Sequence, residues 1–300
     1  MQHYLKYIGV NPDDFRIINE KGYGDNVYIL GDDKPKYVIK RFNDFSPYPT
    51  IPKYCRSRIE LEKESYDLLM RIHHDLTPML LYHHADDYLI IYSFVSKPYV
   101  EYQDYLNDAS NTKSQHKKLF DEFANFFINK TEIKKKIQNP FYFYPQVKQL
   151  RSLFVHPIHA NRIDFIFERG MFMRKAYNIG GMSPKNIFID PLNGKFKLID
   201  FEESFEGDYL YDIGFFIGHL LLYVSSQNCG LIEDIKRTLN RIDYTFKWNK
   251  YEKDQVLSYA GLIILHRADG FNIKFKRDTT LNKHEIGTAL LYGNDIFSFF

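Results

Sequence analysis

The chain has 300 residues, 44% of them hydrophobic, enough for one large core or two modest ones. Forty basic residues against 38 acidic ones leave a formal charge of +2, a balance that argues against a nucleic-acid surface. Two cysteines, Cys55 and Cys229, exclude a disulfide framework and show no metal-ligand spacing.

The opening MQHYLKYIGVNPDDF has no basic-then-apolar leader pattern, so a cytoplasmic location is expected. DFRIINEKGYGDNVYILG reads as two short strands separated by turn-forming residues Lys21 to Asp25, and GDDKPKYVIKRF as a turn and a third strand. RSRIELEKESYDLLMRIHH places Ile59, Leu61, Tyr66, Leu68, Leu69 and Ile72 close to helical spacing, with acids early in the run. MLLYHHADDYLIIYSFV then predicts two strands around Asp86 and Asp87. This order predicts a small antiparallel sheet with one packed helix over residues 1–95.

Residues 96–300 read as mostly helical, including the strongly amphipathic HKKLFDEFANFFIN. Lys134, Lys135 and Lys136 point in different directions on a helix and are expected to be a solvated face. His156 and His159 have HxxH spacing without a third ligand nearby, and a polar loop is expected there. The doublets His73-His74 and His83-His84 are read the same way. Ile187 to Asp190 and Phe196 to Ile199 predict a hairpin turning at Pro191 to Gly194. The apolar run near Ile213 to Val224 is interrupted by His219 and two glycines and is too short to span a bilayer, so no membrane partner is expected.

Phosphoryl transfer from ATP requires covered phosphates, a cation against their charge, oxygen ligands for Mg²⁺ and an oriented acceptor. The stretch MSPKNIFIDPLNGKFKLIDFEESFEGDYLYDIGFFIGHLLL resembles the catalytic segment of the aminoglycoside phosphotransferase and choline kinase-like family. That segment reads roughly HGDxxxxN, a hairpin, (I/L)DFE and then GDPxxD. The later LIILHRADG is similar to a segment common in bacterial members. The resemblance extends over essentially the whole chain, with its specificity concentrated between Gly180 and Asp212. It implies an α+β, two-lobed protein-kinase-like fold, with a small antiparallel-sheet N-lobe and a larger helical C-lobe.

Carried over by residue, the resemblance implies ATP and Mg²⁺ as cofactors, with Asp200 the principal metal ligand and Asn186 the second. Lys40 in YVIKRF would meet the α- and β-phosphates. Glu64 is the acid expected to fix Lys40, with Glu60 and Glu62 as competitors and Glu62 expected to face a different side. Gly22 and Gly24 would lie over the phosphates, although a hairpin turn would need the same glycines. Ile91 to Val95, with Ile91 and Tyr92 foremost, would form the adenine hinge. Asp212 would brace the catalytic loop by accepting its backbone hydrogen bonds. Tyr209 stands where the family has proline. Glu202, Glu203, Glu206 and Asp208 form either a solvated acidic loop or an attraction for a cationic acceptor.

The departure is Ile179-Gly180-Gly181 where the family has His-Gly-Asp. Glycine at 181 can neither orient an acceptor hydroxyl nor take its proton. Lys185, Asp190 and Glu202 are the neighbouring groups that could substitute. The leading expectation is an ATP- and Mg²⁺-binding protein with impaired or altered phosphotransfer, a pseudokinase or an enzyme for an unusual acceptor. An active kinase for amino sugars or choline-like amines, and a non-catalytic scaffold for a protein partner, are the alternatives.

Overall fold

The computed structural model describes residues 2–21, 26–43, 56, 58–108, 116–131, 133, 144–224, 230–269 and 282–294. The chain divides into two compact units, Met1–Tyr99 with Lys197–Glu203, and Val100–Phe196 with Ser204–Phe300. The first boundary falls a few residues beyond the expected position 95. Segment Lys197–Glu203, which the sequence suggested belongs with the helical part, joins the first unit.

Among the described residues, the first unit has a five-stranded antiparallel sheet and one α-helix. Its strands are β1 (Arg16–Lys21), β2 (Asn26–Gly31), β3 (Pro35–Arg41), β4 (Leu80–His84) and β5 (Leu89–Ser93), in the order β1-β2-β3-β5-β4. Helix α1 (Arg58–Ile72) lies between β3 and β4 in sequence. Strand alternation splits β3 and β5 into two faces. On one face Ile39, Leu89 and Ile91 pack with Leu30 under Tyr4 and Leu5 of the N-terminal 3-10 turn Gln2–Ile8. On the other, Lys40 and Tyr92 turn toward α1. The helix forms because Ile59, Glu62, Tyr66 and Leu69 recur at helical spacing, and all four are buried. The returning segment attaches where Leu198 N donates to Leu76 O (2.7 Å) and Lys197 Nζ to Asp75 O (2.8 Å).

The second unit contains β6 (Val100–Glu101), α2 (Tyr102–Asn107), α3 (His116–Lys130), α4 (Tyr144–Ser152) and α5 (Ala160–Met171). Strands β7 (Lys175–Asn178), β8 (Ile187–Asp190), β9 (Lys195–Leu198) and β10 (Phe205–Asp208) follow, the second half of β9 already belonging to the first unit. Antiparallel pairing joins β7 to β10 and β6 to β8. The β8–β9 turn falls where the sequence predicts it. The Asp190 carboxylate accepts from Leu192 N (3.0 Å) and Asn193 Nδ2 (2.7 Å), and Gly194 takes the left-handed φ of +72°.

The described residues of this unit end with helices α6 (Tyr211–Leu221), α7 (Gly230–Phe246), α8 (Lys250–Asp269) and α9 (Lys283–Leu291). Every residue of α6 is buried. Gly214 and Gly218 let its backbone approach α8. A Cβ at Gly214 would lie 2.5 Å from Tyr259 Cβ, and one at Gly218 2.6 Å from Ala260 O. No helix among the described residues is long and apolar enough to cross a membrane.

Buried Asp208 gives this unit a pH signature. Its carboxylate accepts from Leu210 N (3.0 Å), Tyr259 Oη (3.0 Å) and Gln255 Nε2 (3.2 Å), yet burial outweighs these donors and pushes its pKa from 3.8 to about 6. The folded state therefore holds this proton more tightly than the unfolded chain. The resulting stability is fully present below pH 3.8 and is lost as pH rises through about 6, amounting to about 3 kcal/mol. Urea midpoints of the native chain should fall over that window relative to those of Asp208→Asn. Parallel pH profiles for the two proteins would show that Asp208 does not titrate there.

Candidate functional site

The charged centre of the first unit is built on β3. Lys40, only 8% exposed, lies between Val27 of β2 and Ile90 of β5 in the sheet register. Its Nζ lies 2.5 Å from Asp200 Oδ1, 2.7 Å from Glu202 Oε2 and 3.5 Å from Glu62 Oε2. The sheet carries the ammonium and α1 carries Glu62. The returning segment, anchored beside Leu76, supplies the other two acids.

Each acid is held differently. Glu62 Oε1 accepts from Tyr92 Oη (2.9 Å) and Oε2 from Phe201 N (2.8 Å), so this carboxylate ties α1 to both β5 and the returning segment. Burial pushes the Glu62 carboxyl up, and Lys40 opposes that shift. Glu202 Oε1 meets Arg58 Nη1 at 2.5 Å, with both side chains buried. The Asp200 side chain is 35% exposed, the most open of the three. Its backbone is left-handed, with φ +69°, a conformation that L-residues adopt at a cost and that recurs at functional sites. Glu62, Asp200 and Glu202 are also the described acids whose oxygens lie close enough together to share a cation. Carboxylate oxygens are hard donors of the kind that suit Mg²⁺.

The second unit holds the loop 179–186. Asp212, fully buried at the start of α6, accepts from Ile179 N (2.7 Å) and Gly180 N (3.0 Å). Lys130, at the end of α3 and also fully buried, lies 2.7 Å from Asp212 and donates to Tyr177 O (2.9 Å). Burial pulls the Lys130 ammonium down from its ordinary value, and Asp212 pushes it back. Arg151 Nη2 donates to Gly180 O (3.1 Å), while Gly181 O accepts from Asn186 Nδ2 (2.9 Å) and Ser183 N (2.7 Å). The loop backbone is thus fixed from both sides.

No protein-family model matches the chain, and no curated protein does. Solved structures do match, over nearly the full length. An amicoumacin kinase in complex with AMP-PNP and Ca²⁺ superposes with a TM-score of 0.61 at 12% identity, covering 99% of this chain and 96% of that one. An ADP-bound aminoglycoside phosphotransferase gives 0.55 at 15% identity, with 98% and 96% covered. The choline kinase LicA from Streptococcus pneumoniae gives 0.53 at 14%, with 97% and 96% covered. The fold is that of the small-molecule kinases.

Within this kinase fold, Lys40 and Asp200 lie side by side in the first unit, and Asp212 accepts the Ile179 and Gly180 amides as expected. Glu64 is corrected to Glu62. Two positions along a helix rotate the side chain by about 200°, so only one of these acids can share the buried stripe with Tyr66 and Leu69, and it is Glu62. Alternation along β5 turns the Ile91 side chain into the apolar core, where it is wholly buried. Tyr92 is 7% exposed, and its hydroxyl serves Glu62. Asn186 lies in the second unit, with its amide oriented by Gly181. Gly22 and Gly24 lie outside the described residues.

Sequence reasoning missed Arg58, Lys130 and Arg151. A signal existed for two of them. Arg58 precedes Glu62 by four residues, and Lys130 continues the stripe of Phe120, Phe123 and Phe127, so each places a charge on an apolar helical face. Arg151 had no such mark.

Proposed function

We propose that this kinase-fold chain binds ATP with Mg²⁺ and that its phosphotransfer is impaired or altered. The observation that supports the reading is the buried Lys40, held by Glu62 beside the left-handed Asp200. Lys40 would meet the nucleotide's phosphates, and Asp200, the most open carboxylate, would hold the metal. Bound Mg²⁺ would neutralise phosphate charge. The kinases with this fold include complexes with ADP, and with AMP-PNP and Ca²⁺, which is consistent with a nucleotide here.

Gly181 supports the impaired half of the reading, because glycine offers no proton acceptor. Two of the three groups considered as substitutes are engaged elsewhere. Asp190 closes its own turn, and Glu202 pairs with Lys40 and Arg58. Any acceptor would be a small molecule, by analogy with the aminoglycoside, choline and amicoumacin kinases of this fold.

Thermal unfolding with saturating ATP, with and without Mg²⁺, tests the site. Occupancy at about 100 times the dissociation constant adds about 2.7 kcal/mol and should raise the midpoint by several degrees. Asp200→Ala should abolish the Mg²⁺-dependent part of that rise. An unchanged midpoint for the native chain would favour a scaffold without a nucleotide.

A further inference from the structure

The Lys40 ammonium is shared. Glu202 Oε2 stands 2.7 Å from it, nearer than Glu62 at 3.5 Å, and the other Glu202 oxygen is held by Arg58 Nη1 at 2.5 Å. Arg58 is 1% exposed and Glu202 6%, so both charges are out of water, where each depends on the other. Phe42, itself 2% exposed, has Lys40 Nζ 4.7 Å and Arg58 Cζ 5.5 Å from its ring centroid. Both cations thus lie within cation–π range of one ring. Arg58 Nη2 also donates to Asn43 O at 3.4 Å, just beyond β3, which ties the start of α1 to the strand that carries Lys40.

From this arrangement we infer that Arg58 and Glu202 set the affinity of Lys40 for the phosphates: Glu202 competes with them for the ammonium, and Arg58 decides how strongly it competes. The inference rests on the nucleotide reading above. The one negative charge of Glu202 answers both Lys40 and Arg58. With Arg58 in place, part of that charge is already answered, and Lys40 can turn to an incoming phosphate at a lower cost. Without Arg58, Lys40 carries a larger share of the neutralisation of Glu202, and drawing it toward a phosphate costs more. Without Glu202, the ammonium loses a competitor. Arg58 and Glu202 are positioning residues that act through Lys40, and Glu62 remains the geometric brace.

The two single substitutions therefore have opposite signs, which a merely structural role would not produce. ATP dissociation constants in Mg²⁺ would be measured on the full chain for the native protein, Arg58→Gln, Glu202→Gln and the double variant, with adenosine as a phosphate-free control. Arg58→Gln should weaken ATP about tenfold, corresponding to about 1.4 kcal/mol. Glu202→Gln should tighten it, and the double variant should return it close to the native value. Adenosine affinity should stay constant throughout. Should Arg58→Gln fail to fold, the sign of the Glu202→Gln change alone decides. Weakening of ATP by Glu202→Gln, or equal losses for ATP and adenosine, overturns the inference and leaves the nucleotide site intact. A native chain that binds no ATP overturns both.

Discussion

Gly181→Asp is expected to raise ATP turnover by about 10²- to 10⁴-fold, the usual contribution of a positioned general base. The loop backbone that would carry the acid is held in place. Asp212 takes the Ile179 and Gly180 amides, Arg151 holds the Gly180 carbonyl, and Asn186 holds that of Gly181. Gly180 needs its glycine, with φ +76°, whereas Gly181 is not among the residues with left-handed backbone. An aspartate at 181 therefore costs no left-handed strain. ADP release would be followed with a panel of small hydroxylated amines and amino sugars, and Gly181→Asn serves as the control that adds bulk without a base. A Gly181→Asp protein that is stabilised by MgATP yet turns over no faster on any acceptor would show that glycine at 181 is not what limits this chain.

Lys130→Met should destabilise the second unit by about 3–5 kcal/mol, because it strands a buried carboxylate. Lys130 and Asp212 are both wholly inaccessible to solvent and lie 2.7 Å apart. The Ile179 and Gly180 amides would remain on Asp212, but neutral donors do not replace a cation in a dry interior. Urea unfolding measures the loss, and combining Lys130→Met with Asp212→Asn should recover part of it, because no unpaired charge is then buried. A cost below about 1 kcal/mol, the level of an exposed ion pair, would mean that Lys130 is not the partner that keeps Asp212 in place.

Local pattern alone determined most of the elements. Alternation in YVIKRF and YLIIYS specified β3 and β5, and apolar spacing specified α1 and α3. Turn chemistry at Asp190 to Gly194 placed the β8–β9 hairpin. Family resemblance singled out Lys40, Asp200 and Asp212, since a lysine beside Arg41 or a lone strand-end acid carries little signal by itself. The choice between Glu62 and Glu64 was also partly legible, since Glu62 shares a helical face with Ile59, Tyr66 and Leu69. In a run as acidic as ELEKE, however, the composition does not say which acid is buried.

Tertiary structure decided the partners. Lys40 and Asp200 are 160 positions apart, and Lys130 and Asp212 are 82 apart. No local preference reports such a pairing, which exists only because the sheet and helices bring distant charges out of water together. The same holds for Ile91: the strand was predictable, but which of its faces meets Tyr4 and Leu5 depended on where the N-terminal turn packs. Local periodicity fixes which residues share a face. Only the closed fold determines what that face meets, and a buried charge takes its role from that encounter.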